Sequence, residues 1–413
     1  MAQKFGLIGK TLKHSYSKKI HALLGDYPYE MHEITPEQVG DFVLNTALDG
    51  FNITIPYKKD VLPFLDQIDE RALLIGAVNT VVKRDGRIKG YNTDFDGMVY
   101  MLSRAGITLK DKNVLILGSG GTSNTAQAVS KSLGAKKVSV LSRVGEINYE
   151  NYKEKVADTE VVINATPVGM YPENYTCKID LSAFPMLTGV ADAVYNPALT
   201  TLLYQAKKRN LSYTNGLPML VAQAKYALEI FMDKKISDSV IEPIIKQLAK
   251  EKTNIVLVGM PGSGKTSVGK LLANELSMEF LDTDYLIEQR ENKSIPQIFE
   301  QFGEEYFRKA ESEVLRDVGI LSGKIISTGG GVVKNYENYF PLKQNAIIVW
   351  IDRDIEKLVT DGRPLSKNLE TVKKLYAERK DAYTAFADIK ADNNGDINET
   401  VKGVKSAYEN FGY

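Results

Sequence analysis

Between Gly259 and Thr266 the chain reads GMPGSGKT, which fits the spacing GxxxxGK[ST]. That pattern binds phosphate. Its glycines let backbone N–H groups converge on phosphate oxygens, and the N-terminus of the helix that follows adds a positive dipole end. Lys265 can reach the β- and γ-phosphates of ATP, and Thr266 can ligate Mg2+. Gly262, Ser263, Gly264 and Ser267 complete the loop and the first helical turn that would hold the nucleotide. Downstream, FLDTDYLIE carries Asp282 and Asp284 one residue apart, read here as a strand end with both carboxylates on one side. A Mg2+ shell and a hydroxyl acceptor each need such an oxygen near the γ-phosphate. Arg308 stands three residues before Glu311 on a predicted helix, where a carboxylate can orient a guanidinium. Gly329, Gly330 and Gly331 follow a predicted strand and leave room for backbone to approach a ligand. With Arg363 in DGRPLS and Arg379 in ERKDAY, these residues suggest a small anionic acceptor under a mobile cationic lid.

A second glycine loop lies in the first half. NVLILGSGGTSNTAQ reads as strand, turn and helix, with Gly118 and Gly120 in the first two positions of GxGxxG. Gly121 and Thr122 follow, and Ser123 fills the third position. The next predicted strand ends in Ser142 and Arg143, where NAD-binding chains carry an acidic residue for the ribose hydroxyl. A hydroxyl and a guanidinium suit a 2′-phosphate, so the expected cofactor is NADP(H). Upstream, Lys58 falls just past a predicted strand and Asp94 lies in GYNTDFDG. A lysine beside an aspartate can pass a proton to a developing alkoxide and take it back in the reverse direction. Spacing alone does not pair them.

The elements that must position these groups are legible as bursts of four to six apolar residues alternating with longer amphipathic segments. This is the pattern of α/β layers with parallel sheets. A chain of 413 residues suggests two or three domains. A composition dip at AKEKTN places the main boundary between 1–252 and 253–413. Lysine plus arginine equals aspartate plus glutamate, 52 each, which argues against wholesale nucleic-acid or membrane-surface binding. The single cysteine, Cys177, excludes an intrachain disulfide and fits a reducing compartment. The N-terminus shows no signal-peptide core and no apolar run is long enough to span a membrane, so the expected setting is cytoplasmic. His14, His21 and His32 lack the carboxylate or cysteine spacing of a metal site.

Taken in order, GMPGSGKTSVGKLLA, FLDTDYLIE, FGEEYFRKAE, STGGGVV, GRPLS and ERKDAY resemble the shikimate kinases over about 253–413. The resemblance implies a nucleoside-monophosphate-kinase-like fold. It implies that Asp284 engages the acceptor hydroxyl, that Arg308, Gly330 and Arg379 hold the ring and its carboxylate, that Asp282 helps place Mg2+ with Thr266, and that Arg363 closes over the phosphates. Ser366 departs from the common second leucine of the lid pattern. The strings HSYS, NITIPYK, GAVNT, NTDFDG, GSGGTS, INATPVGM, VYNP and GLPMLVAQA resemble the shikimate dehydrogenases over about 1–250. That resemblance implies substrate contacts from Ser15, Ser17, Thr54, Asn79, Tyr195 and Gln223, a catalytic pair Lys58 and Asp94, and Gly216 near the nicotinamide. It also implies a substrate lobe from 1–100 plus 220–250, with an NADP lobe of Rossmann type at 101–219. The combined expectation is one chain that reduces 3-dehydroshikimate to shikimate with NADPH and then phosphorylates shikimate with ATP and Mg2+. Its partners are small molecules, and a homodimer is left open. Two other readings stand beside it. One is a dehydrogenase with a kinase-like regulatory nucleotide-binding module, against which the set Lys265, Asp284, Arg308 and Arg379 argues. The other is an NAD-dependent enzyme acting on quinate, against which Arg143 and Ser15 argue.

Overall fold

Short runs of β-branched residues form three sheets in the computed structural model, which describes residues 3–13, 15–358 and 369–411. The chain divides into two units, Met1–Lys246 and Gln247–Tyr413. The first therefore ends inside the helix Ile241–Lys252.

The first unit holds two sheets. In the first are β1 (Phe5–Gly9), β2 (Tyr29–Glu33), β3 (Gly50–Ile53), β4 (Gln67–Ile68), β5 (Thr80–Arg84) and β6 (Arg87–Tyr91), in the order β2-β1-β3-β5-β6-β4. β1 pairs in parallel with β2 and β3, whereas β5 runs antiparallel to both β3 and β6. The β5–β6 hairpin turns on Asp85 and Gly86, whose φ values of 53° and 72° suit a two-residue turn matching the strand twist.

The second sheet is wholly parallel: β7 (Asn113–Leu117), β8 (Lys137–Leu141), β9 (Val161–Asn164), β10 (Gly189–Asp192) and β11 (Ser212–Thr214), in the order β11-β10-β9-β7-β8. Its central strands are apolar on both faces because helices cover both. Strand order reverses between β7 and β9, and at that point the carboxyl ends open a crevice.

The helix Leu217–Met232 ties the two lobes of this unit together. Phe231 at its far end stacks on Phe5 of β1, ring centroids 4.7 Å apart. Along its length it packs against the helix Asp94–Arg104, and Gly97 permits the approach: a Cβ there would lie 2.7 Å from the Met219 carbonyl and 3.0 Å from Gln223 Cβ. This contact sets Asp94 and Gln223 relative to one another.

The second unit has one parallel sheet: β12 (Asn254–Val258), β13 (Glu279–Asp282), β14 (Lys324–Ser327), β15 (Ala346–Asp352) and β16 (Ile389–Asp392), in the order β13-β14-β12-β15-β16. NIVLV of β12 is buried at all five positions and delivers the glycine loop at the sheet's carboxyl edge. The long segment Ile295–Gly319 is broken at Gly303 (φ 80°, ψ 176°), so it acts as two helices at an angle. Among the described residues, no helix is long and apolar enough to cross a membrane.

Candidate active sites

A cleft of about 180 Å³ opens in the first unit and gathers residues from both of its lobes. Ser17, Thr54, Lys58, Asn79, Asp94, Thr122, Tyr195, Gly216 and Gln223 all line it. Ser15 does not, but its Oγ accepts from the Ser17 backbone N–H at 3.3 Å, and the Tyr16 ring between them meets Tyr195 edge-on. Lys58 emerges after β3 on a turn anchored by buried Tyr57, whose hydroxyl donates to the Ile34 carbonyl at 2.6 Å. Asp94 begins its helix, where the macrodipole favours a negative charge, and its N–H donates to Asn92 Oδ1 at 3.1 Å. From these separate supports Lys58 Nζ donates to Asp94 Oδ2 at 2.6 Å, with the side chains 28% and 16% exposed. The pair is accessible to a ligand without being freely solvated.

Behind it, buried Asn79 accepts through Oδ1 from the Thr93 N–H at 2.8 Å, and Asn52 donates to the Asn79 carbonyl and to Thr80 Oγ1. Asn52 also lines the cleft and was missed in the sequence; its place in FNITIP, two residues before Thr54, was the available signal. On the far wall, Asp192 at the end of β10 accepts from Asn164 Nδ2 (2.8 Å), the Val194 N–H (3.0 Å) and Thr200 Oγ1 (2.7 Å). Burial pushes its carboxyl up to about 6 against these three donors. They fix the loop that carries Ala193 and Tyr195.

The glycine loop after β7 fits a dinucleotide. Gly118 adopts φ 104°, and a Cβ there would lie 2.7 Å from Thr166 Cγ2, so the turn requires glycine. Gly120 and Gly121 face open space at the start of the helix Gly121–Ser132, where N–H groups are free to meet an anion. Ser123 is fully buried, small enough for the close helix–strand packing that the third glycine otherwise allows. Ser142 and exposed Arg143 follow β8 at the same carboxyl edge, the Ser142 N–H donating to the Ile147 carbonyl at 3.1 Å.

The second unit has its own cleft, about 320 Å³, lined by Lys265, Thr266, Asp282, Asp284, Arg308, Gly330 and Arg379 among others. The loop glycines Gly259, Gly262 and Gly264 have φ values of 149°, 83° and 95°, a conformation that L-residues rarely adopt. Ser263 is buried and its carbonyl accepts from Asn393 Nδ2 at 2.7 Å, while exposed Ser267 sits in the first turn of the helix Lys265–Leu276. Lys265 Nζ donates to the Gly259 and Met260 carbonyls at 3.0 and 2.9 Å.

The two carboxylates converge by a route different from the one the sequence suggested. β13 ends at Asp282, and Asp284 lies in the first turn of the helix Thr283–Glu291. Strand alternation therefore does not align them. Asp282 caps the helix instead: its Oδ1 accepts from the Asp284 N–H at 3.1 Å and its Oδ2 from Thr266 Oγ1 at 3.0 Å. Burial first, then the nearby Asp282 charge, push Asp284 up to about 6, opposed by Lys265 and Arg308. Arg308 Nη1 donates to Glu311 Oε2 at 2.8 Å, and burial raises the Glu311 carboxyl too. Among the described residues, Asp284 Oδ1 and Glu311 Oε1 are buried without a hydrogen-bond partner, as ligand-facing atoms would be.

The glycine triplet serves the protein's own side chains. A Cβ on Gly329 would lie 2.7 Å from Asp284 Oδ1 and 3.0 Å from Glu311 Oε1, one on Gly330 would lie 2.5 Å from the Pro261 ring, and one on Gly331 would overlap the Arg308 guanidinium. The apolar wall of Phe299 and Phe307 was not anticipated from sequence. Arg363 and Ser366 lie outside the described residues. No group of three or more His, Cys, Asp or Glu side chains gathers as a metal site among the described residues.

An ion-paired lysine facing a dinucleotide-type loop, and buried carboxylates with arginines facing a P-loop, define a chain that joins an oxidoreductase to a phosphotransferase. The family model for the shikimate dehydrogenase substrate binding domain matches residues 7–81, and that for shikimate kinase matches 261–408. A shikimate dehydrogenase (NADP(+)) of Shouchella clausii is 36% identical over 274 residues, covering 60% of this chain and 98% of that protein. The chain belongs to the shikimate dehydrogenase family and carries a shikimate kinase domain after it. A second relative, from Nitrosopumilus maritimus, is 34% identical over 56% of this chain and 93% of its own. Among solved structures, a chorismate mutase/shikimate 5-dehydrogenase fusion protein from Clostridium acetobutylicum aligns with TM-score 0.56 at 34% identity, covering 60% of this chain and 97% of that one. The Thermus thermophilus shikimate 5-dehydrogenase, solved with NADP(H) and shikimate, aligns with TM-score 0.53 at 28% identity, over 59% and 99%.

Proposed function

We propose that residues 1–252 reduce 3-dehydroshikimate to shikimate and residues 253–413 phosphorylate that shikimate, so that one chain performs two successive steps. The observation that carries this reading is the coexistence of two intact constellations: Lys58 paired to Asp94 at 2.6 Å in one unit, and Lys265, Asp284, Arg308 and Arg379 around one cleft in the other.

In the first unit, NADPH when bound supplies the hydride. Lys58 donates its proton to the oxygen that gains charge, and Asp94 holds the ammonium in place. Ser15, Ser17, Thr54, Asn79, Tyr195 and Gln223 hold the substrate's hydroxyls and carboxylate. The open N–H groups at Gly120, Gly121 and Thr122, with the tight turn at Gly118, suit a pyrophosphate; Ser142 and Arg143 suit a 2′-phosphate; Gly216, pressed against the Ala193 carbonyl, suits a flat ring. In the second unit, Gly262, Ser263, Gly264, Lys265, Thr266 and Ser267 cradle ATP. Asp284 orients the acceptor hydroxyl, while Arg308, Gly330 and Arg379 hold the ring and carboxylate. Thr266 Oγ1 and Asp282 Oδ2, 3.0 Å apart, form a hard-oxygen donor set suited to Mg2+, which when bound offsets phosphate charge. Cys177 is a free thiol, which supports a reducing, cytoplasmic setting.

The test is one mixture of 3-dehydroshikimate, NADPH, ATP and Mg2+, followed for NADPH loss and ADP release. Both should proceed, with ADP release lagging and dependent on NADPH. NADPH loss without ADP release would return the second unit to the regulatory-module reading.

A further inference from the structure

Arg379 and Tyr383 lie four residues apart on one face of the helix Leu369–Phe386. Both donate to the same atom: Arg379 Nη1 reaches the Gly330 carbonyl at 2.9 Å and the Tyr383 hydroxyl reaches it at 2.6 Å. A carbonyl oxygen has two lone pairs, so this one is fully used. Gly330 packs closely on the Pro261 ring, whose Cδ lies 2.5 Å from where a Cβ would stand. Tyr383 is completely buried and stacks on Trp350 of β15, ring centroids 5.7 Å apart. Arg379 is buried as well, and its Nε has no partner among the described residues. One N–H of this guanidinium is thus anchored in the wall of the cleft, while another remains to be satisfied.

We propose that Tyr383 is a positioning residue for the acceptor site: its hydroxyl shares the Gly330 carbonyl with Arg379, which fixes the guanidinium so that its remaining N–H groups meet the acceptor's carboxylate. The inference rests on the acceptor reading given above. Without the hydroxyl, the partly buried carbonyl keeps Arg379 as its one donor, and the guanidinium is drawn toward it. Sharing with a ligand then comes at the cost of an acceptor left poorly satisfied. In this reading the bond serves the acceptor's carboxylate and takes no part in phosphoryl transfer.

The test is Tyr383→Phe in the full chain, which keeps the ring and its stacking. The KM for shikimate should rise about three- to tenfold, the scale of one hydrogen bond. The kcat and the KM for ATP should stay within about twofold, as expected when only acceptor binding is lost. Trp350 is the chain's single tryptophan, so its fluorescence during a shikimate titration gives the Kd directly, and that Kd should rise by the same factor as KM. Unmoved shikimate KM and Kd would overturn the proposal. So would parallel losses in kcat, ATP binding and thermal midpoint, which mark a packing role alone. If the unmutated chain failed to phosphorylate shikimate, the acceptor reading would fall and the proposal with it.

Discussion

Lys58 and Asp94 reach one another from unrelated supports, a turn pinned by Tyr57 and a helix start pinned by Asn92. Lys58→Ala removes the only ammonium that lines its cleft among the described residues, so reduction should fall by about a hundredfold or more, the scale of a lost acid/base group, while NADPH binding survives. Near-normal turnover in stopped-flow or steady-state assays would reject the role. Asp284 gives the kinase cleft a pH signature. With its carboxyl pushed up to about 6, the charged form, which the proposed function has accept from the acceptor hydroxyl, is lost as pH falls through that value. Phosphorylation kcat/KM should therefore drop on the acid side with a midpoint near pH 6, and Asp284→Asn should lack that limb. Stability moves the other way. A carboxyl raised on folding stabilises the fold most when protonated, a contribution present below its ordinary 3.8 and lost as pH rises through about 6. A profile whose acid limb lay near 4 would remove the assignment. At this scale much was legible, because lysine, aspartate and arginine inside specific strings announce their chemistry. Asn52 was not, since a buried asparagine in a strand looks like any other until its neighbours are known.

Among elements, what the sequence could not convey is which backbone segments touch. The glycine triplet 329–331 announced close approach, yet the groups that approach are Asp284, Pro261 and Arg308, each distant in sequence. The Asp282–Asp284 pair was likewise found for the wrong reason, because helix capping brings together what strand alternation was expected to align. Gly216 is a sharper case. A Cβ there would overlap the Ala193 carbonyl, a backbone atom that cannot swing aside, so Gly216→Ala should destabilise the first unit by about 1–3 kcal/mol, as overpacking does. Gly403 lies exposed within the helix Ile397–Glu409 with open space at its Cβ, and the same substitution there should stabilise the second unit by about 1 kcal/mol. Urea unfolding of both variants checks the pair, and equal signs would contradict the packing described.

For the whole molecule, each cleft is built from its own unit: every residue lining the first falls at or before Gln223, and every residue lining the second at or after Pro261. Substitutions in separate clefts should act independently. Lys58→Ala should leave kinase kcat/KM unchanged, Asp284→Asn should leave reduction unchanged, and mixing the two variants should restore conversion of 3-dehydroshikimate to shikimate 3-phosphate. Failure of the mixture to convert would show that the two activities must reside on one chain. The sequence carries a two-part order of its own, since each half has its own ordered set of strings and its own glycine loop.

Lys265 already has company in its loop, the carbonyls of Gly259 and Met260. A nucleotide entering the loop thus performs an exchange, trading two carbonyl dipoles for phosphate oxygens. A bare nucleoside has nothing to trade. Under the proposed function, phosphate oxygens are what the loop would take in exchange for its own carbonyls, and a base would add to that grip rather than begin it.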